Sequence, residues 1–191
     1  MQAIKEELMK TEEKLGRALK DLMAKEPLDQ ISVKRLTAIC GINRQTFYYH
    51  FRDIYDLLTW IFLNETIQEI KNAETYLEAI YGFFAYIEKN KIFVMNVASS
   101  AGKDLFVEFL TNHVKIIIMR SLQKKDEEGV LTLDEKKFIA KYFGSASVAI
   151  LIDWITSNMK EPKSEVIRKL VVVSKNQTED CIEKFKLSRK G

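Results

Sequence analysis

Proline and glycine are scarce, at two and seven residues in a chain of 191. Both break helices, so their scarcity predicts long uninterrupted ones. A chain rich in Lys, Glu, Leu and Ile suits the same end, and the predicted class is all-α. Cysteine is equally sparse. Cys40 and Cys181 lie too far apart for a ligand motif and form no disulfide framework; both read as reduced thiols of a cytosolic protein, with Cys40 a small core hydrophobe. No run reaches the ~18 apolar residues of a membrane span. The longest, VKIIIM and SVAILIDWI, read as buried helix, so no membrane partner is expected. The start, MQAIKEELMK, is amphipathic and acidic and does not read as a signal peptide. There is no Gly-rich phosphate loop and no metal motif. His50 with Asp53, or His113 with Asp104, could pair as acid and base, but neither has a nucleophile at a recognisable spacing. No catalytic residue, cofactor or metal is therefore assigned, and an enzyme is not expected.

What remains is apolar and helical. Apolar residues make up 47% of the chain, enough for a real core. The net charge is only +3, but it is unevenly placed. Residues 1–52 hold ten Lys/Arg and seven Asp/Glu, while 53–191 hold twenty of each. Residues 31–52 carry Lys34, Arg35, Arg44 and Arg52 and no acid. Such a surface favours a polyanion.

The periodicity predicts a helix over 3–25, with Leu8, Leu15, Ala18, Leu19 and Leu22 on one stripe. Pro27 ends it. Ser32 is placed to cap a helix whose buried side is Val33, Leu36, Ile39 and Cys40. Gly41 follows, where a chain leaves a helix with positive φ. Asn43 caps a short helix over 44–50. Helix, short Gly-containing turn, helix is the layout of a helix-turn-helix. At 100° per residue Phe47 and Phe51 lie about 40° apart and point inward. Gln45, Thr46, Tyr48 and Tyr49 then point outward, a set that a surface helix rarely exposes without a partner.

Further helices are predicted over 54–71, 73–89, 91–99, 104–124, 133–159 and 162–185. In the second of these, Leu77, Ile80, Phe84 and Ile87 are expected to be buried. Thr132 caps the helix from 133, Pro162 opens the last one, and the tail LSRKG is expected to be disordered. The helix around 148–155 is apolar nearly all round and needs burial on more than one side. With the last helix it reads as a homodimer surface: Gly144, Ala146, Ile150, Trp154, Ile167, Leu170 and Val171.

The run Thr46-Phe47-Tyr48-Tyr49-His50-Phe51-Arg52-Asp53, with Ile31-Ser32-Val33, Ala38, Gly41 and Leu57-Leu58 around it, resembles the TetR family of bacterial transcription regulators. The likeness covers about residues 11–60. GINRQTFYYHF is also similar to the DhaS-type subgroup, associated with dihydroxyacetone utilisation. The resemblance implies about nine helices, three of them in a DNA-binding domain assigned to 1–53. A ligand-binding and dimerisation domain is assigned to 54–185. It implies a cytoplasmic, nucleoid-associated bacterial protein, commonly a repressor, acting as a homodimer on double-stranded DNA under a small-molecule effector. Members often carry Lys where this chain has Ile54, and Ile54 cannot meet a phosphate.

On this layout Gln45 and Thr46 are expected to reach base edges, Gln45 through adenine and the Thr46 methyl through a thymine methyl. Arg44 and Tyr48 reach bases or phosphates. Tyr49, His50, Arg52, Lys34 and Ser32 are expected to meet phosphates. The effector-pocket candidates are Phe62, Phe84, Met95, His113, Ile117 and Trp154. The competing reading is a helical co-activator that binds protein without touching specific DNA.

Overall fold

The computed structural model describes residues 2–189, with side chains described from 10 to 189. Among the described residues there are ten α-helices and no strand. They are α1 (Gln2–Met23), α2 (Val33–Cys40), α3 (Arg44–His50), α4 (Ile54–Asn64), α5 (Tyr76–Lys89), α6 (Lys91–Ala98), α7 (Lys103–Lys125), α8 (Leu133–Thr156), α9 (Lys163–Ser174) and α10 (Gln177–Ser188). The chain forms two compact units. The first is residues 1–65 with 90–106, and the second is 66–89 with 107–191.

The first unit is built on α1, which packs against α2, α4 and α6. Leu15, Leu19, Leu22 and Met23 of α1 are buried, as their spacing predicts; Leu8 lies outside the described side chains. They meet a core that includes Leu36, Phe47, Phe51, Leu57, Leu58 and Phe93. Asn96 of α6 donates to the carbonyls of Met23 (2.6 Å) and Glu26 (3.0 Å), satisfying carbonyls at and just past the end of α1.

The predicted helix 54–71 stops at Asn64. Glu65 turns extended, its carboxylate held by Lys20 of α1 at 2.7 and 2.8 Å. The chain then re-enters as a 3₁₀ turn, Gln68–Ile70, and buries Ile67 and Ile70. A straight helix would not place both isoleucines inward and Glu65 on Lys20.

In the second unit, α5 packs against that 3₁₀ turn and against α9. Gly82 permits the close approach: a Cβ there would sit 2.4 Å from Ile70 Cγ2 and 2.5 Å from the Glu69 carbonyl oxygen. Leu77, expected in the core, is exposed at the start of α5. The predicted helix 162–185 is two helices. Lys175 is extended and Asn176 left-handed at φ 57°, a conformation Asn tolerates better than most residues. Of the tail expected to be disordered, Leu187 and Ser188 finish α10 and Arg189 bonds the Val130 carbonyl; residues 190 and 191 lie outside the described residues. Among the described residues α8 alone is long and apolar enough to cross a membrane by length and composition, with 44% of its most apolar window buried. Its inward face (Ile139, Val148, Leu151, Trp154, Ile155) is core.

The loop from α7 to α8 is organised by Asp126. Its side chain is fully buried and accepts from the Val130 and Leu131 amides at 2.7 and 3.1 Å. Lys136 Nζ lies 2.8 Å away. Burial pushes this carboxyl up, but the Lys136 ammonium and the two amides outweigh it, so it titrates below the usual aspartate range. Thr132 then opens α8 with a full capping box, each of Thr132 and Glu135 bonding the other's backbone amide.

Gly82→Ala is expected to destabilise the protein by about 1–3 kcal/mol, because a methyl there meets backbone that cannot swing away. A lowered urea midpoint checks this; an unchanged one rejects the close approach. Asp126 stabilises the fold above its unfolded pKa of about 4, and that stabilisation is lost as pH falls toward its lower folded value. The stability gap between wild type and Asp126→Asn should therefore narrow as pH falls below about 4, measured by urea titration at each pH.

Candidate nucleic-acid interface

Local chemistry builds the site. Ser32 Oγ accepts from the Arg35 amide at 3.3 Å and starts α2. Gly41 ends it at φ 61° and ψ 33°, the left-handed conformation that glycine takes without strain. Asn43 Oδ1 accepts from the Thr46 amide at 2.7 Å and starts α3. Two caps and one glycine thus set the helix-turn-helix that the sequence predicts.

Phe47 and Phe51 orient α3. Both are buried, 5.9 Å apart between ring centres, and Phe51 meets Trp60 edge-on. Their burial leaves Arg44, Gln45, Tyr48 and Tyr49 in solvent, Tyr49 being 75% exposed. Thr46 is half-buried, and its hydroxyl donates to Asn43 Oδ1 at 3.0 Å. Only its methyl remains without an assigned task.

His50, expected to meet a phosphate, is turned away from solvent. Its side chain is 5% exposed and its Nδ1 lies 3.3 Å from Glu12 Oε1 on α1. It sits on the inward flank beside Phe51 and ties α3 to α1; it is not displayed beside Tyr49. Ile39, expected inside, is 56% exposed on α2. Ile54 is buried at the start of α4, so the position that often holds a lysine here belongs to the core.

The basic run is less free than its count suggests. Arg35 pairs with Glu26, and Arg52 Nε lies 3.6 Å from Asp56, whose carboxylate also accepts the Arg52 amide. Lys34 and Arg44 are exposed with no ion-pair partner among the described residues. The partners escaped sequence reading because they lie outside residues 31–52. The Arg52–Asp56 spacing of four was a usable signal; Glu26 and Arg35 share no such register. Cys40 is buried, its thiol pushed up by burial while Lys14 pulls it the other way, so it presents no reactive thiolate.

The remaining sequence-assigned residues fall in both units. Phe62 and Met95 belong to the first, where Phe62 packs on Phe93 and Phe106. Phe84, His113, Ile117 and Trp154 belong to the second. There Phe84 and Trp154 pack at 4.9 Å between ring centres, tilted by 53°, and Trp154 Nε1 donates to the Glu161 carbonyl. His113 Nδ1 lies 2.9 Å from the Phe109 carbonyl oxygen. Of the dimer set, Gly144, Trp154, Ile167 and Leu170 are buried within the second unit. Ala146 and Ile150 are exposed and Val171 is half-buried.

Comparison with known proteins points the same way. A TetR-type family model, described as a transcriptional regulator C-terminal region, matches residues 74–176. The HTH-type dhaKLM operon transcriptional activator DhaS of Lactococcus lactis subsp. lactis (strain IL1403) is 30% identical over 149 residues, covering 73% of this chain and 76% of that protein. A solved structure described as the dihydroxyacetone kinase operon activator DhaS superposes with a TM-score of 0.61, covering 93% of this chain and 97% of that one; at 24% identity it speaks for the fold alone. With a regulator model over more than half its length and a curated regulator 30% identical across 73% of it, the chain belongs to the TetR family of transcriptional regulators.

Proposed function

We propose that this regulator binds a near-palindromic operator as a homodimer, with α3 of each protomer in a major groove about one DNA turn, or a small multiple, from the other. The observation that carries this is the display of Gln45, Tyr48 and Tyr49 on the face opposite the buried Phe47 and Phe51, within an acid-free stretch. Gln45 and the Thr46 methyl read bases. Arg44, Tyr48, Tyr49, Lys34 and Arg52 position the backbone, with Ser32 and the start of α2 facing another phosphate. His50 supports α3 from within. In this reading residues 1–53 are the DNA-binding domain, and residues 54–185 dimerise and take a small-molecule effector.

The dimer reading rests on the outer face of α8. Phe138, Tyr142, Ala146 and Ile150 recur there at helical spacing and are exposed, and Val172 and Val173 of α9 are exposed too. The TetR resemblance implies repression. A second reading, activation, is favoured by the name of the Lactococcus lactis relative, an activator of its operon. A reporter fused to the promoter selected by this protein separates the two: output falls with the regulator present under the first reading and rises under the second.

Gel-shift titration on DNA selected from a random pool tests the interface. Arg52→Ala is expected to lower the log-log salt slope by about one unit. Arg35→Ala should change it little, because Glu26 already neutralises that charge. Absence of affinity for any selected or promoter DNA rejects the reading. Ile150→Glu should shift the protein toward monomer in sedimentation and weaken operator binding by at least about tenfold; a variant that stays dimeric moves the interface elsewhere.

A further inference from the structure

Among the described residues, one side-chain oxygen is shut off from solvent without a hydrogen-bond partner: Glu26 Oε1. Its twin, Oε2, accepts from Arg35 Nη1. A carboxylate and a guanidinium can bond twice, fork to fork. Here one oxygen is answered and the other is left dry. Such a pair is a poor stabiliser, because the cost of desolvating the charge is only half offset. What the pair does achieve is to fix Arg35.

Glu26 is held at both ends of its backbone. Its amide donates to the Leu22 carbonyl at 3.0 Å, and its carbonyl accepts from Asn96 of α6 at 3.0 Å. Pro27 follows with φ at −59°. The carboxylate therefore has little room to follow a cation that moves away; Arg35 comes to it. Glu26 is also the less exposed partner, its side chain 18% exposed against 50% for Arg35. Departure of Arg35 would strand both oxygens in a place largely closed to water. Arg52 is held differently. Its partner Asp56 keeps the Arg52 amide when the guanidinium leaves.

Arg35 stands where a free guanidinium would count. It is the third residue of α2, and its amide meets Ser32 Oγ in the turn proposed above to face a phosphate. Lys34 beside it is exposed. We propose that Glu26 is a built-in brake on DNA affinity, holding Arg35 back from a phosphate that it would otherwise meet. Glu26 itself touches no DNA; it is a positioning residue that acts through Arg35. A phosphate contact carries no sequence information. The brake thus lowers the grip on all DNA alike and leaves the discrimination made by α3 intact. It rests on the DNA-binding reading and adds to it a limit set from within the same unit.

The test is a double-mutant cycle on the full chain. Affinity for DNA selected from a random pool, and for unrelated DNA of equal length, is titrated over a range of salt. Glu26→Gln should steepen the log-log salt slope by about one unit on both DNAs, with binding about fivefold tighter near ~150 mM salt and about fifteenfold tighter near ~50 mM. Glu26→Ala removes the same charge without placing an amide in the dry half of the site. It should behave alike, so a folding defect in one variant leaves the other to decide. Arg35→Ala alone should stay near wild type, and added to either Glu26 variant it should abolish the gain. An unchanged slope in the Glu26 variants overturns the proposal. So does a gain that survives in the double variant, since loss of an acid would then explain it without Arg35, and so does a gain confined to the selected DNA. No affinity of wild type or variants for any DNA rejects the DNA-binding reading itself; wild-type binding without the expected gain rejects the brake alone.

Discussion

Everything the first unit displays depends on the burial of one ring. Phe47 is fully buried, and on a helix of seven residues one fixed side chain sets the azimuth of all the others. Phe51, one turn on, removes the remaining freedom. Burying two such rings is worth several kcal/mol by area, on the order of 1.5–3 each. No surface contact of α3 competes with that. Residues that read a ligand can therefore vary on the outer face while the helix stays put.

The electrostatics of the same unit follow a different logic. Its cations are drawn from one short stretch, but the acids that meet them come from either side of it. Glu26 precedes α2, and Asp56 lies within α4. Surface pairs of this kind are weak and exchange readily. Arg52, 3.6 Å from Asp56, can leave its carboxylate for a stronger anion at small cost; Arg35 stays with the less exposed Glu26, while Lys34 and Arg44 stand ready without exchange. The face is thus graded in availability, which a count of charges conceals.

The parts of the fold that were legible in the sequence are those settled within a few residues. Ser32, Gly41, Asn43 and the Thr132–Glu135 pair each act on a neighbour three or four positions away, so their meaning survives without a structure. The misread parts are settled at long range. Helix α4 ends where Lys20, 45 positions earlier, takes hold of Glu65. His50 turns inward because Glu12, 38 positions earlier, lies beside it. Periodicity gives the face of a helix but not the distant partner that stops it or claims one side chain. Ile39 and Leu77 fail for the opposite reason: each has the right spacing for burial, but no element covers it. The effector-pocket residues were chosen by apolar character, which selects core, so Phe84 and Trp154 packing on each other is what that criterion finds.

The cap of α3 has one more consequence. Asn43 engages both the amide and the hydroxyl of Thr46, so in the proposed groove-bound geometry this side chain offers DNA a methyl and withholds its proton. A methyl reads shape alone. In the major groove thymine presents its C5-methyl as an apolar knob, and 5-methylcytosine presents the same knob on a different base. In that geometry the methyl contact is blind to the identity of the pyrimidine and sensitive to its methylation.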